Sequence, residues 1–153
     1  MTSTNEDRLT LMKRLDESFR EVRRLILAEW NRVNEHGLGM THGKMLIVLA
    51  EKGPQKASSL AEALFITGGG VTGIADRLIE LGYVTRERSE QDRRSVLLQL
   101  TNEGQAMVKT MMDLREKVML KLFRGMSSED MCKAIELFGV MSRNMECGGQ
   151  GEA

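Results

Sequence analysis

Four arginines, a run of three glycines and two threonines are the groups in this chain whose spacing suggests chemistry at a charged partner. Thr67-Gly68-Gly69-Gly70 leads into an amphipathic stretch from Val71 to Leu81. Val71, Ile74, Ala75, Leu78 and Ile79 share one face at helical period and must point inward. Thr72, Gly73, Asp76, Arg77 and Glu80 share the other. A helix N-terminus offers unsatisfied backbone N–H groups and partial positive charge. Small residues there let a phosphate or a base edge come close. Further on, Arg88, Arg93 and Arg94 flank or occupy a polar tip, Ser89–Arg94, between two strand-like runs. A narrow minor groove concentrates negative potential and attracts inserted arginines. The candidate DNA contacts are therefore Thr67, Gly69, Gly70, Thr72, Gly73, Arg77, Arg88, Asp92, Arg93 and Arg94. Arg93 is expected to meet a phosphate. Asp92 cannot favour DNA by charge and is expected to brace Arg94 or Arg77 through a charge-assisted hydrogen bond.

Other chemistries find little footing. The glycine run lacks the preceding strand, the G-x-G-x-x-G spacing and the Gly-Lys-Ser/Thr of nucleotide loops. No Ser-His-Asp set, nucleophile elbow or paired-acid motif can be assembled, so the chain is not expected to be an enzyme. His36 and His42 have no second ligand at metal spacing. They are expected to be cap or surface histidines, with no metal and no cofactor. Cys132 and Cys147 lack CxxC spacing, which argues against a disulfide framework or zinc site and for the cytosol. Cys132 is one position off an apolar stripe and is expected to be a buried or half-buried structural cysteine. Cys147 is expected to be an exposed thiol.

The elements that must position these groups follow from the periodicity. The 153 residues suit one domain, and 41% hydrophobic with 29% charged residues suits a globular chain. Basic and acidic residues balance at 22 each, so any attraction to nucleic acid must be local. No apolar run approaches a membrane span, and the polar start is unlike a secretory signal. A long first helix is predicted over Asp7–Glu35, ended by Gly37 and Gly39. A short second helix runs from Thr41 to Ala50 and stops at Gly53-Pro54. Ser59-Leu60-Ala61-Glu62 reads as a capping box opening a third, Leu60–Leu64. The fourth is Val71–Leu81, closed by Gly82. Tyr83–Arg88 and Ser95–Leu100 then form a β-hairpin. Thr101 caps a fifth helix with Met107, Met111, Leu114, Val118 and Leu122 on its stripe. Ser127 and Asp130 cap a sixth, and residues 147–153 form a disordered tail. The fold class is mainly α: a winged helix-turn-helix lobe over 41–100, with dimerisation helices over 7–36 and 101–146, six helices plus a hairpin wing.

The lobe is too small to bury the stripes of the first and last helices. Met12, Leu15, Phe19 and Val22 on the first, with Met131, Ile135, Phe138 and Met141 on the last, are expected to meet a second copy of the chain.

Leu60-Ala61, Val71-Thr72 with Asp76-Arg77-Leu78, Leu81-Gly82-Tyr83-Val84, and Asp92-Arg93-Arg94 followed by Leu100-Thr101 and Gly104 together resemble the MarR family of bacterial transcription regulators. The resemblance spans about Asp7 to Met145. It implies a homodimer on a palindromic stretch of double-stranded DNA, probed by one winged helix per subunit. It casts Arg94 as the minor-groove arginine of the wing. It also implies release of DNA by a small-molecule effector or by an oxidant. Trp30 either packs in the dimer body or walls an effector pocket with Met45 and Met111. Met107, Met111, Met112 and Met119 are core first and a pliable ligand wall second. Two rival readings stay open: an oxidant-sensing regulator of the same fold, and a winged helix used only for protein–protein contact.

Overall fold

The computed structural model describes residues 3–92 and 94–147 of the chain. Among them lie six helices and three short strands: α1 (Ser3–Val33), α2 (Met40–Lys52), β1 (Gln55–Lys56), α3 (Ala57–Leu64), α4 (Gly68–Glu80), β2 (Val84–Arg88), β3 (Val96–Leu100), α5 (Asn102–Leu122) and α6 (Ser128–Cys147). The fold is mainly helical, as the periodicity predicts, and its one small antiparallel sheet adds β1 to the expected hairpin. The chain divides into two compact units, one up to Met119 and one from Leu120 onward.

The first unit holds the core. Met45, Leu46 and Leu49 from α2, Leu60 from α3, and Val71, Ala75 and Leu78 from α4 are buried together with Val84 and Leu98 of the sheet. Met107, Val108, Met111, Leu114 and Val118 of α5 and Trp30 of α1 complete it. Each large side chain buried this way stabilises by roughly 1.5–3 kcal/mol. Ile74 and Ile79 pack half-buried beside them, so the inward face of α4 is the one the sequence marks.

Local chemistry explains the element ends, including those that differ from expectation. The first helix begins at Ser3 rather than Asp7 and stops at Val33, short of Glu35. Asn34 ends it: its amide nitrogen donates to the Leu38 carbonyl, and its Oδ1 accepts the His36 N–H at 3.1 Å. The Ser59 capping box is not used. The third helix starts three residues before Leu60, at Ala57, with Lys56 as an N-cap that makes no side-chain bond. The reason is a strand too short to show any period. Gln55 and Lys56 pair with Leu98 and Leu97, which holds Lys56 extended and makes Ala57 the first residue free to turn.

The sheet runs in the order β1-β3-β2, with β2 and β3 in hairpin register from Val84↔Leu100 to Arg88↔Val96. Both hairpin strands start one residue later than the sequence pattern marks. Thr101 ties the hairpin to α5. Its hydroxyl donates to the Gly82 carbonyl at 2.6 Å and accepts the Gly104 N–H at 3.0 Å, while its own N–H donates to the Tyr83 carbonyl at 3.0 Å. A Cβ at Gly104 would overlap that Tyr83 carbonyl, so only glycine permits this approach. Leu-Thr-x-x-Gly is thus a clasp for the wing base.

In the second unit, Gly125 turns the chain at φ +79° and the Ser127 hydroxyl accepts the Asp130 N–H at 3.1 Å, starting α6. That helix buries none of its residues. Cys132, on a helix with no buried residue, is therefore exposed, which corrects the expectation of a buried or half-buried thiol. Cys147 is exposed too, as the last residue of the helix. Of the tail expected to be disordered over 147–153, Cys147 is helical instead, and residues 148–153 lie outside the described residues. No described helix is long and apolar enough to cross a membrane.

Candidate nucleic-acid interface

Thr67 sets the geometry of α4. It is the N-cap, extended at φ −75° and ψ 160°, and its hydroxyl accepts the Gly70 N–H at 3.1 Å. Gly68, Gly69 and Gly70 therefore form the first helical turn and do not break the chain. Thr72 follows, exposed, its hydroxyl donating back to the Gly68 carbonyl at 3.2 Å. Gly73 and Arg77 are exposed on the same outward face. Arg77 pairs with Glu80 at 3.4 Å, both well exposed, which leaves the guanidinium largely hydrated.

The outward glycines are not there for packing. A Cβ at Gly68 or Gly73 would meet nothing within 4 Å, and one at Gly69 would meet only the Thr67 hydroxyl, at 4.0 Å. None of them has positive φ. Gly73, inside the helix and not in its first turn, costs roughly 0.8–1.0 kcal/mol against alanine. The single chain gives no return for that cost.

The wing presents its arginines from an internally braced tip. The Ser89 hydroxyl accepts the N–H groups of Gln91 and Asp92 at 3.3 and 3.4 Å. Asp92 accepts the Arg94 backbone N–H at 3.0 Å and the Ser95 hydroxyl at 3.0 Å. Those two bonds, the backbone one first, hold its carboxyl below the usual carboxylate range, with Lys56 adding a smaller effect. Asp92 thus braces Arg94 through the main chain, where the sequence suggests a bond to the Arg94 or Arg77 guanidinium. Arg88 and Arg94 are exposed, and among the described residues neither guanidinium forms an ion pair. Arg93 lies outside the described residues.

One pairing went unread in the sequence. Arg86 of β2 donates to Asp76 of α4 across ten residues, fastening the wing to the outward face of the helix. Period two puts Arg86 on the face of Val84, and Val84 is buried with the core face of α4, so the signal was present. A second feature left no such trace. Phe65, between α3 and α4, sits at φ 54° and is 95% exposed.

The remaining sequence candidates fall elsewhere. His42 is half-buried, not on the surface, and its Nδ1 is buried without a hydrogen-bond partner. Burial, and secondly the charge of Arg77, push its pKa down. Trp30, Met45 and Met111 are core residues: Trp30 and Met111 close on Gly43, and the Trp30 indole N–H donates to the Leu38 carbonyl at 3.1 Å. They line neither of two surface clefts in this unit. The larger, about 600 Å3, lies among Ile47, Glu51, Lys109, Met112, Asp113, Arg115, Glu116 and Met119. The smaller, about 280 Å3, lies among Val33, Glu35, His36, Thr110, Asp113, Leu114 and Lys117. Of the methionines, Met107 and Met111 are core, and Met112 and Met119 are the exposed cleft wall. Among the described residues no three His, Cys, Asp or Glu side chains are grouped to hold a metal. The stripe residues Met12, Leu15, Phe19, Val22, Met131, Ile135 and Phe138 are all exposed, and Met141 is half-exposed.

A model described as MarR family matches residues 36–95, the span from the end of α1 through the wing tip. The HTH-type transcriptional regulator YfiV of Bacillus subtilis (strain 168) is 35% identical over 123 residues, covering 78% of this chain and 73% of that one. FabT of Streptococcus pneumoniae, solved in complex with DNA, is 25% identical with a TM-score of 0.75, covering 88% of this chain and 97% of that one. BpsR of Bordetella bronchiseptica, described by the regulation of its DNA binding by 6-hydroxynicotinic acid, shares the fold at a TM-score of 0.75 and 23% identity, covering 83% and 91%. The chain belongs to the MarR family, and it is a transcriptional regulator, not an enzyme.

Proposed function

We propose that the chain is a homodimeric, sequence-specific DNA-binding repressor of the cytoplasm, acting on a palindromic operator and released by a small-molecule effector. The observation that carries the reading is the outward face of α4. Its glycines are demanded neither by φ nor by space among the described residues, and Gly73 lowers the intrinsic stability of the helix. A bare helix face lets a duplex reach the backbone N–H groups of the first turn and the Thr72 hydroxyl. Thr67, Gly69, Gly70, Thr72, Gly73 and Arg77 would lie in the major groove. Arg94 would enter the minor groove, with Arg88 and Arg93 on phosphates and Asp92 bracing the tip. FabT, solved with DNA, supports this use of the fold.

The exposed stripes of α1 and α6 support a second copy as the partner, with half-sites about 34–36 Å apart. The larger α2–α5 cleft, where Ile47, Met112 and Met119 lie among charged side chains, is the effector site favoured by its size and its pliable methionines. BpsR, regulated by a small aromatic acid, supports effector control. The test is selection of duplexes from a random-sequence pool by the purified full chain, followed by footprinting. The reading expects an inverted repeat protected symmetrically. Failure to enrich any duplex would leave the protein-contact reading in its place. The exposure of Cys132 favours one second reading, an oxidant-responsive regulator. Mass spectrometry of the chain after peroxide treatment, beside the loss of duplex binding, would decide it.

A further inference from the structure

We infer that Phe65 is a DNA-contacting side chain, set in the turn between α3 and α4 to pack on the apolar edge of the duplex beside the α4 N-terminus. The inference rests on the DNA-binding reading above and extends it to a residue outside both the helix and the wing.

Three observations converge on this position. The ring is 95% exposed, so it contributes nothing to the core. Its backbone is left-handed at φ 54° and ψ 44°, where a bulky residue is strained and glycine or asparagine is relaxed. The turn does not need the ring to close. The Ile66 N–H donates to the Ala61 carbonyl at 3.0 Å and the Phe65 N–H to the Glu62 carbonyl at 3.3 Å, both through main chain. An exposed aromatic held in a disfavoured conformation by a turn that would form more easily without it is the pattern of a residue kept for contact.

The position names the partner. Phe65 stands two residues before Thr67, the cap of α4, and Ile66 between them packs at the level of Gly70. The next three residues, Gly68 to Gly70, carry no side chains. A duplex drawn up to that bare backbone meets Phe65 as the large apolar group of the same turn. The matching chemistry on DNA is the C5-methyl of thymine in the major groove, or the apolar face of a deoxyribose.

The experiment uses the full chain and a duplex that the wild-type protein has itself enriched from a random pool. Phe65→Gly and Phe65→Asn remove the ring and relax the turn. They should lower affinity by about tenfold while the melting temperature holds or rises by about 2–4 °C. Phe65→Tyr keeps both ring and strain and should bind as wild type does. Replacing thymine by deoxyuridine throughout the duplex separates the two contacts. If wild-type affinity falls and the Phe65→Gly deficit shrinks, the ring touches a methyl; if both persist, it touches the sugar. Wild-type affinity in Phe65→Gly, with binding still lost on Arg94→Ala, overturns the inference and spares the DNA reading. Loss of affinity matched by a fall in melting temperature also overturns it, since the ring would then be structural. A wild-type chain that enriches no duplex overturns both.

Discussion

Arg94 and His42 show how differently single side chains can be coupled to the rest of this protein. Arg94 has its backbone N–H fixed by the Asp92 carboxylate, while its guanidinium projects from an exposed tip. Removing the guanidinium therefore leaves the tip bonds in place. Arg94→Ala should weaken duplex binding by roughly 1–3 kcal/mol and reduce the salt slope by about one per lost phosphate-like contact. Thermal melting should not move. Fluorescence anisotropy across a salt series checks both, and affinity within threefold of wild type would remove Arg94 from the interface. His42 is coupled to the fold instead. Burial, then the nearby charge of Arg77, depresses its folded pKa below 6.5, so the unfolded chain takes up a proton that the folded chain resists. The stability this preserves is complete above the unfolded value and is lost as pH falls through the folded one. The melting temperature should drop as pH falls from above 6.5 through that lowered value, and His42→Gln should flatten the drop. An identical pH profile in wild type and variant would show that other groups carry it.

At the scale of elements, α4 is where stability and use of the protein oppose each other. Gly73 has helical φ and open space where a Cβ would go, so Gly73→Ala should raise stability by up to about 1 kcal/mol. If the bare face reads DNA, the same methyl should cost affinity. Denaturant melts and binding isotherms on one preparation test the pair of signs, and equal or better binding would make the glycine incidental. The start of this helix was not legible, since Thr67 caps a first turn of three glycines that lies ahead of the expected start at Val71. Its inward face and its end were legible because their signals are local, Val71, Ala75 and Leu78 at helical spacing and Gly82 at the close. Thr101 as the cap of α5 was legible for the same reason. The start of α3 was not, because Ser59-x-x-Glu62 fits a capping box while the pairing of Lys56 with a strand forty residues away decides where the helix begins. Asp76–Arg86 joins two elements and has no local signature beyond strand period. Phe65 was hidden for the opposite reason: Leu-Phe-Ile reads as continuing apolar sequence, and nothing in it announces a left-handed residue. Propensity sees short-range chemistry, and the tertiary pairings that override it set the rest.

At the scale of the molecule, charge and apolar surface point to different partners. Between Thr67 and Ser95 the arginines 77, 86, 88, 93 and 94 face Asp76, Glu80, Glu87, Glu90 and Asp92, five against five. Such a face does not hold DNA by net attraction, so binding must come from shape and from a few unpaired arginines, and two copies engaged at once would multiply a modest single-site affinity. The apolar surface supplies the means. On α1, Met12, Leu15, Phe19 and Val22 are exposed at three- and four-residue spacing. On α6, Ile135 is 69% exposed and Phe138 53%, in a helix that buries nothing. Soluble monomers rarely show contiguous apolar patches beyond a few hundred Å2. A twofold arrangement covers the same stripe on both subunits with one interface, and its symmetry matches an inverted repeat. The expected dimer buries on the order of 2,000 Å2 or more. Phe138→Asp sets a carboxylate in the middle of the α6 stripe, far in sequence from the wing. It should monomerise or unfold the chain and abolish duplex binding, although Thr67, Arg88 and Arg94 are untouched. Sedimentation at micromolar concentration, with circular dichroism to separate the two outcomes, is the measurement. A folded wild-type monomer there, or a Phe138→Asp dimer that still binds its duplex, would mean that the stripes serve some other partner and that the two-copy account of affinity fails with them.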